Sequence, residues 1–381
     1  MTVFLFWFSL ALIILSYLAY PLILILLSAV IKRSFAKEGM EQSVTLIIPA
    51  HNEESVIGEK IKNVFSLDYA KGKMEILLIL DGCTDKTKTI AEKFSGERIK
   101  IIEQNPRKGK MAALNLAVSQ ARGEIVVFTD ADVILDTQAI KYLVENFKDK
   151  KIGCVGGELI YVSSGESLVE AGENLYFKYD KFLRDKESKM GTLLVVSGSI
   201  YAMRKSLFVP IREDLADDFI NPISVASKGF WVVCDSRAKA FGKVAKTTKD
   251  EFGQKTRVVT QGFKASAQIF RFISNKNYIY FLEFIFHKFL RWIVPLFLMG
   301  VFISNLLLWD LRNYKIVFCA QLIFYAFAAV GYFLQKKRID SKIFYIPFYF
   351  TLINIAALIG LIKFLIGEET KTWELAQTTR K

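Results

Sequence analysis

Val126-Val127-Phe128-Thr129-Asp130-Ala131-Asp132 is an apolar, β-type run that ends in two carboxylates separated by one residue. Side chains alternate along a strand, so residues two apart point the same way, and Asp130 and Asp132 converge where the strand stops. Two carboxylates that close repel unless a positive group lies between them. A hard divalent cation, Mg²⁺ or Mn²⁺, is the usual solution, since it takes oxygen ligands and keeps positions open for a substrate's phosphates. An isolated Asp-x-Asp is more often a solvated turn after a buried strand, and what distinguishes this one is the pattern around it.

Upstream, Val44-Thr45-Leu46-Ile47-Ile48 reads as a buried strand stopped by Pro49-Ala50-His51-Asn52-Glu53-Glu54, and an amphipathic segment at 55–65 reads as a helix. A second strand, Glu75-Ile76-Leu77-Leu78-Ile79-Leu80, stops at Asp81-Gly82-Cys83-Thr84-Asp85, with a helix at 86–94 behind it. After a short strand at 100–102, Arg107-Lys108-Gly109-Lys110 opens a helix at 111–120, and the strand 125–129 carries the aspartates. Apolar strands alternating with helices predict parallel β-α units with both sheet faces covered. Ligands of such sheets bind beyond the carboxyl ends of the strands, where every polar cluster just named lies. Singly, these clusters are ordinary: Asp81-Gly82 is a turn signal, Lys108 and Lys110 are charges before a helix, and His51 is a polar loop residue. Together they offer an acceptor for a nucleoside (Asp81), cations for a diphosphate (Lys110, with Arg107) and a metal seat (Asp130, Asp132).

With those residues in place the sequence resembles the inverting family 2 glycosyltransferases with a GT-A fold, in particular membrane-anchored polysaccharide and glycolipid synthases. The resemblance rests on the PxxNE-like Pro49 to Glu53, the DGSTD-like Asp81 to Asp85, the KxxxLN-like Lys110 to Asn115 and the DxD, and it covers most of residues 44–262. It departs from the family at Leu80, where many members carry a second Asp, and at Cys83, where Ser is usual. The resemblance implies a Rossmann-like, mostly parallel α/β domain that binds a nucleotide-sugar donor, preferentially a UDP-sugar. Donor-binding roles are implied for Pro49, Glu53, Asp81, Lys110 and Asp130.

Further along, Val155-Gly156-Gly157 reads as a strand with a close backbone approach. Tyr176, Phe177, Tyr179, Phe182 and Leu183 recur at helical spacing and predict a core-facing helix. Ser197-Gly198-Ser199 to Arg204 resembles a family segment lining the acceptor side, which implies that role for Gly198 and Ser199. Leu215-Ala216-Asp217-Asp218-Phe219 sets adjacent carboxylates in an apolar context. Adjacent residues rarely share a face, so one is expected to be structural and the other to face the pocket. Inverting transfer needs a base near the acceptor hydroxyl. The resemblance to the family's Glu-Asp pair nominates Asp218, with Asp217 as fallback and on the acceptor side; Glu213-Asp214, in a more polar setting, ranks lower. Gln254-Lys255-Thr256-Arg257-Val258 resembles the QxxRW motif of processive synthases, with Val258 in place of Trp. A helix puts Gln254 and Arg257 on one face, where Arg257 grips a diphosphate.

The 381 residues are 52% hydrophobic, and the excess lies at the two ends. Residues 3–31 carry no charge and, at about 1.5 Å per residue, exceed a hydrocarbon core of about 30 Å. Lys32, Arg33 and Lys37 follow, which places the next domain in the cytoplasm. Residues 263–291 mix aromatics and cations, as in helices lying along headgroups. The stretches 292–309, 316–334 and 343–366 are three more spans, and Lys336-Lys337-Arg338 marks a cytoplasmic link.

The expected organisation is an N-terminal membrane helix at 1–31, a catalytic domain at 32–262, interfacial helices at 263–291, spans within 292–366 and a tail at 367–381. Trp373 and Arg380 in the tail resemble a W…R motif of the catalytic side. The net charge of +13 fits anionic headgroups and phosphorylated substrates, since no basic stripe of a nucleic-acid binder is present. Four dispersed cysteines lack metal-ligand spacing and read as reduced thiols.

The expectation is a multi-pass enzyme of the cell (inner) membrane, moving sugar to a glycan or lipid acceptor in surface polysaccharide synthesis. Single transfer to a lipid is one alternative. A non-catalytic nucleotide-sugar-binding regulator is another, and a transporter is disfavoured because the spans carry few charges.

Overall fold

The computed structural model describes the chain except residues 32, 34–41, 71, 97, 163–167, 244–247, 274–277, 338, 340 and 369–381. Lys32, Lys37, Arg338, Trp373 and Arg380 therefore lie outside the described residues.

Eight strands form one sheet: β1 (Val44–Ala50), β2 (Met74–Asp81), β3 (Ile99–Gln104), β4 (Ile125–Thr129), β5 (Ile134–Leu135), β6 (Ile152–Val162), β7 (Ile200–Arg204) and β8 (Trp231–Lys243). Their order is β3-β2-β1-β4-β7-β6-β8-β5. The first four are parallel, and β7 runs antiparallel between β4 and β6. The continuous apolar runs are explained by cover on both faces. Ile47, Leu77, Val126 and Phe128 face one core with the helices Lys110–Gln120 and Asp217–Ser227. Leu46, Ile48, Ile76 and Val127 face the other, under the helices Ile57–Phe65 and Ala139–Glu145. Gly157 lies where β6 shifts register against β8, and a Cβ there would sit 2.6 Å from the Ala238 carbonyl oxygen. The sheet is thus the expected mostly parallel α/β GT-A domain, with an antiparallel insertion.

Among the described residues, four helices are long and apolar enough to cross a membrane: Thr2–Val30, Tyr278–Leu307, Arg312–Lys336 and Lys342–Leu365. Their number matches the sequence reading, but one boundary does not. Residues 263–291 are not one interfacial segment. The helix Thr248–Ile273 begins inside the expected catalytic domain, and the next starts at Tyr278 and continues through Phe284–Phe289 to Leu307. Phe284 and Trp292 are buried against Phe219 and Phe263, so protein takes the place expected of headgroups.

The helix Leu168–Met190 faces a core, as expected, formed with the first apolar helix. Tyr179 and Leu183 pack on Tyr20 and Leu24 of the first membrane helix, while Phe182 is exposed. The helix also packs on β8, where Ser188 Oγ donates to the Cys234 carbonyl at 3.4 Å.

Candidate active site

The loops after β1 and β2 are laced together. His51 Nδ1 lies 2.6 Å from the Asp81 carbonyl oxygen. The Thr84 amide donates to Asn52 Oδ1 at 2.8 Å, and the Glu53 amide donates to Thr87 Oγ1 at 2.7 Å. Pro49 and Glu53, expected to touch the donor, are both buried: Pro49 belongs to the central strand, and the Glu53 carbonyl accepts from Val56 and Ile57 where the next helix begins.

Asp81, expected to accept from the nucleoside, is held by the loop that follows β3. Its carboxylate is fully buried and accepts from Gln104 Nε2 at 2.7 Å and from the amides of Lys108 and Gly109, both at 2.8 Å; Arg107 Nε approaches to 3.9 Å. These donors make Asp81 a support of the 104–109 loop, while Oδ2, which takes one of them, keeps acceptor capacity. Gly82 makes the close approach possible: φ is +58°, and a Cβ would lie 2.6 Å from Arg107 Cβ.

That loop delivers Lys110, the first residue of its helix, to the carboxylates. Lys110 Nζ donates to Asp130 Oδ1 at 2.7 Å and lies 3.6 Å from Asp217 Oδ1. Burial alone would lower the pKa of this ammonium, but Asp130, Asp217 and Asp218 outweigh it and hold the group above the ordinary lysine value. Pairing Thr129 with Ile200 puts Ser199 beside Asp130, where its hydroxyl donates to Oδ2 at 3.4 Å.

Asp217 and Asp218 open the helix Asp217–Ser227 in different surroundings. Asp217 is buried and accepts from the Tyr201 hydroxyl at 2.8 Å, which in turn accepts from Asn221 Nδ2 at 2.9 Å. Tyr201 stacks on Phe128 of β4 at 4.6 Å. Asp218 is less buried, and a Cβ on Gly198 would lie 3.5 Å from it. Burial, then the adjacent Asp217, push the Asp218 carboxyl up to about 7, while Lys110 pulls the other way. A carboxyl tuned to that range is suited to accepting a proton near neutral pH.

Asp132 follows Asp130 in the same turn. No group of three or more His, Cys, Asp or Glu side chains is arranged to hold a metal among the described residues. Two carboxylates alone, both hard oxygen donors, fit a divalent cation that fills its remaining positions with phosphate and water. Gln254 is exposed and Arg257 half-buried on the helix Thr248–Ile273, which packs on the helix that begins at Asp217. Glu213 and Asp214 are outward charges, the latter paired with Arg212.

Sequence reading missed Lys60, Asn63 and Tyr201. Lys60 is fully buried beneath the Asp130–Asp132 turn, donating to Thr129 Oγ1 at 2.9 Å and to the Val133 carbonyl at 2.8 Å. Burial lowers its pKa to about 7 against the opposing pull of Asp130 and Asp132. One signal was visible: Lys60 interrupts the apolar row Ile57, Ile61, Val64.

Residues 45–211 match the family model described as "Glycosyl transferase family 2". A protein of Bacillus subtilis named "Probable glycosyltransferase YdaM" is 27% identical over 346 residues, covering 83% of this chain and 81% of its own. A poly-beta-1,6-N-acetyl-D-glucosamine synthase of Staphylococcus aureus is 29% identical over 189 residues, 49% of this chain and 45% of the synthase, so less than half of that relative is matched. Among solved structures, a mannosyltransferase from Pyrobaculum calidifontis in complex with GDP-Man and Mn²⁺ aligns with a TM-score of 0.71 at 20% identity, covering 96% of this chain and 100% of that one; this likeness concerns the fold alone.

Proposed function

We propose, for a chain that belongs to glycosyl transferase family 2 and is a glycosyltransferase, that it transfers a sugar with inversion from a nucleoside-diphosphate donor, a UDP-sugar, to a membrane-associated glycan or lipid acceptor. The observation that carries this reading is the gathering of Lys110, Asp130, Ser199, Asp217 and Asp218 at one end of the sheet, with one carboxyl tuned to about 7.

In this reading the acceptor hydroxyl oxygen attacks the anomeric carbon, the bond from that carbon to the diphosphate oxygen breaks, and Asp218 takes the hydroxyl proton. Asp217, engaged by Tyr201 and Lys110, holds the turn that aims Asp218. Gly198 keeps space beside the base, and Ser199 supports Asp130. Lys110 faces the leaving diphosphate, which needs positive charge as the bond breaks. Mg²⁺ or Mn²⁺ on Asp130 and Asp132, when bound, neutralises diphosphate charge. Gln254 and Arg257 are assigned to the donor side, next to the helix of Asp218.

The four apolar helices support a multi-pass membrane protein, and the basic Lys32, Arg33 and Lys37 behind the first of them support a cytoplasmic catalytic domain. Use in surface polysaccharide synthesis accords with the staphylococcal relative's name. The test is a screen of nucleotide sugars, UDP- and GDP-linked, for metal-dependent nucleotide release by the full chain in lipid. A ladder of products supports polymer synthesis, a single lipid-linked band supports single transfer, and release with no donor at any metal concentration refutes the reading.

A further inference from the structure

The segment that carries the Asp130–Asp132 pair is tied at three points to one helix. Lys60 donates to Thr129 Oγ1 on one side of the pair and to the Val133 carbonyl on the other, at 2.9 and 2.8 Å. Three residues on, on the same face of the helix Ile57–Phe65, Asn63 Nδ2 donates to the Leu135 carbonyl at 2.8 Å and its Oδ1 accepts from the Leu135 amide at 2.9 Å. Between those ties Ala131 and Val133 are buried, so the turn has little freedom except through its two carboxylates.

A fully buried lysine is expensive, because its ammonium gives up water. At this site a Leu or Met would continue the apolar row Ile57, Ile61, Val64. The ammonium's hydrogen bonds are what an apolar residue could not supply. The helix also starts directly behind the His51-Asn52-Glu53 loop, where the Glu53 carbonyl accepts from Val56 and Ile57.

We propose that Lys60 is a positioning residue for the metal turn: by bonding Thr129 and Val133 it sets the spacing of Asp130 and Asp132, and with Asn63 it fixes that turn to the helix following the first nucleotide loop. It touches neither metal nor substrate and acts through the Thr129 hydroxyl on one flank of the pair and the Val133 carbonyl on the other. This rests on the reading of Asp130 and Asp132 as the seat of a divalent cation. Partners of this kind, one layer removed from a metal, typically change metal affinity about 10- to 100-fold when lost.

The test uses the full chain in lipid nanodiscs, with Mn²⁺ titrated against UDP and, separately, GDP, and nucleotide binding read by calorimetry. Lys60→Met and Lys60→Gln are compared with Lys62→Met, on the exposed side of the same helix. Both Lys60 variants are expected to need about tenfold more Mn²⁺ for half-maximal nucleotide binding, with nucleotide affinity at saturating Mn²⁺ near that of the parent. Lys62→Met leaves both values in place.

Half-saturation is a property of the folded fraction, so partial loss of protein does not blur it. An unchanged Mn²⁺ requirement in either Lys60 variant overturns the positioning role. Complete unfolding of both does so too, making Lys60 a residue of the fold alone. If the parent itself binds nucleotide without regard to Mn²⁺, it is the metal reading of the Asp pair that fails.

Discussion

In its proposed role as base, the half-buried carboxyl of Asp218 sets catalysis against stability. Its pKa in the folded chain, about 7, stands above the ordinary value of 3.8, so as pH rises the unfolded chain ionises first. The resulting loss of stability begins near pH 4, grows to about pH 7 and persists above it. Asp218→Asn removes the ionisable group. It is expected to melt at a higher temperature than the parent at pH 8, with the gap closing towards pH 4. The proposed base acts in its ionised form, so transfer is expected to rise with pH through the same window, and a cation held on the nearby Asp130 is expected to move the midpoint below 7. The Asn variant should bind nucleotide as the parent does and lose transfer by about 10²-fold or more. Melting scans and a transfer assay on one preparation check both, and undiminished transfer removes Asp218 from the base's role. Tyr201→Phe isolates the neighbouring contact. It strips Asp217 of a buried donor while keeping the stack on Phe128, and a loss of about 1–3 kcal/mol is expected in unfolding experiments.

Loops between elements depend on a different kind of fit. Gly82 occupies φ +58° with Arg107 Cβ 2.6 Å from where its own Cβ would be, so Gly82→Ala must bear both a left-handed backbone and a clash. The Asp81 bonds to Lys108 and Gly109 open as a result. Nucleotide binding should weaken with the melting temperature, and an unchanged affinity would show that the 104–109 loop does not serve the donor. The strands β1, β2 and β4 were legible in the sequence because each is an uninterrupted apolar run with a polar stop, and those stops mark the strand ends where the site lies. Partners across the chain were not legible. Nothing local says that Ile200–Arg204 inserts antiparallel beside β4 and so carries Ser199 to Asp130. The Asp81 turn gives no sign that its carboxylate will brace a loop more than twenty residues later. Lys60 was visible as a charge in an apolar row, but its acceptors follow from tertiary packing. The aromatic stretch before Trp292 has the composition of a headgroup helix, and only its burial against Phe219 and Phe263 distinguishes it from one.

Across the molecule, one helix joins the catalytic end of the sheet to the membrane bundle. Thr248–Ile273 packs on the helix of Asp218 at one side and on Lys342–Leu365 at another, where Thr260 Oγ1 donates to the Gly360 carbonyl at 3.2 Å. A Cβ on Gly262 would lie 2.3 Å from Trp292 Cη2, and one on Gly360 would lie 2.9 Å from the Thr256 carbonyl oxygen. Small residues at such crossings let helix backbones approach closely. Gly262→Val must displace Trp292 and with it the middle of the helix Tyr278–Leu307, while the β1–β4 loops stay in place. If the bundle presents the acceptor to Asp218, a displacement of this size separates the two substrates' fates: a misalignment of about 1 Å costs on the order of 10²-fold in a transfer that depends on orientation. Nucleotide binding should then stay close to that of the parent while transfer to the membrane acceptor falls by about tenfold or more. Gly253→Val, on the same helix with open space around it, should leave both unchanged. Binding and transfer falling together in Gly262→Val would mean that the crossing supports the whole fold, and unchanged transfer would mean that acceptor delivery does not pass through it.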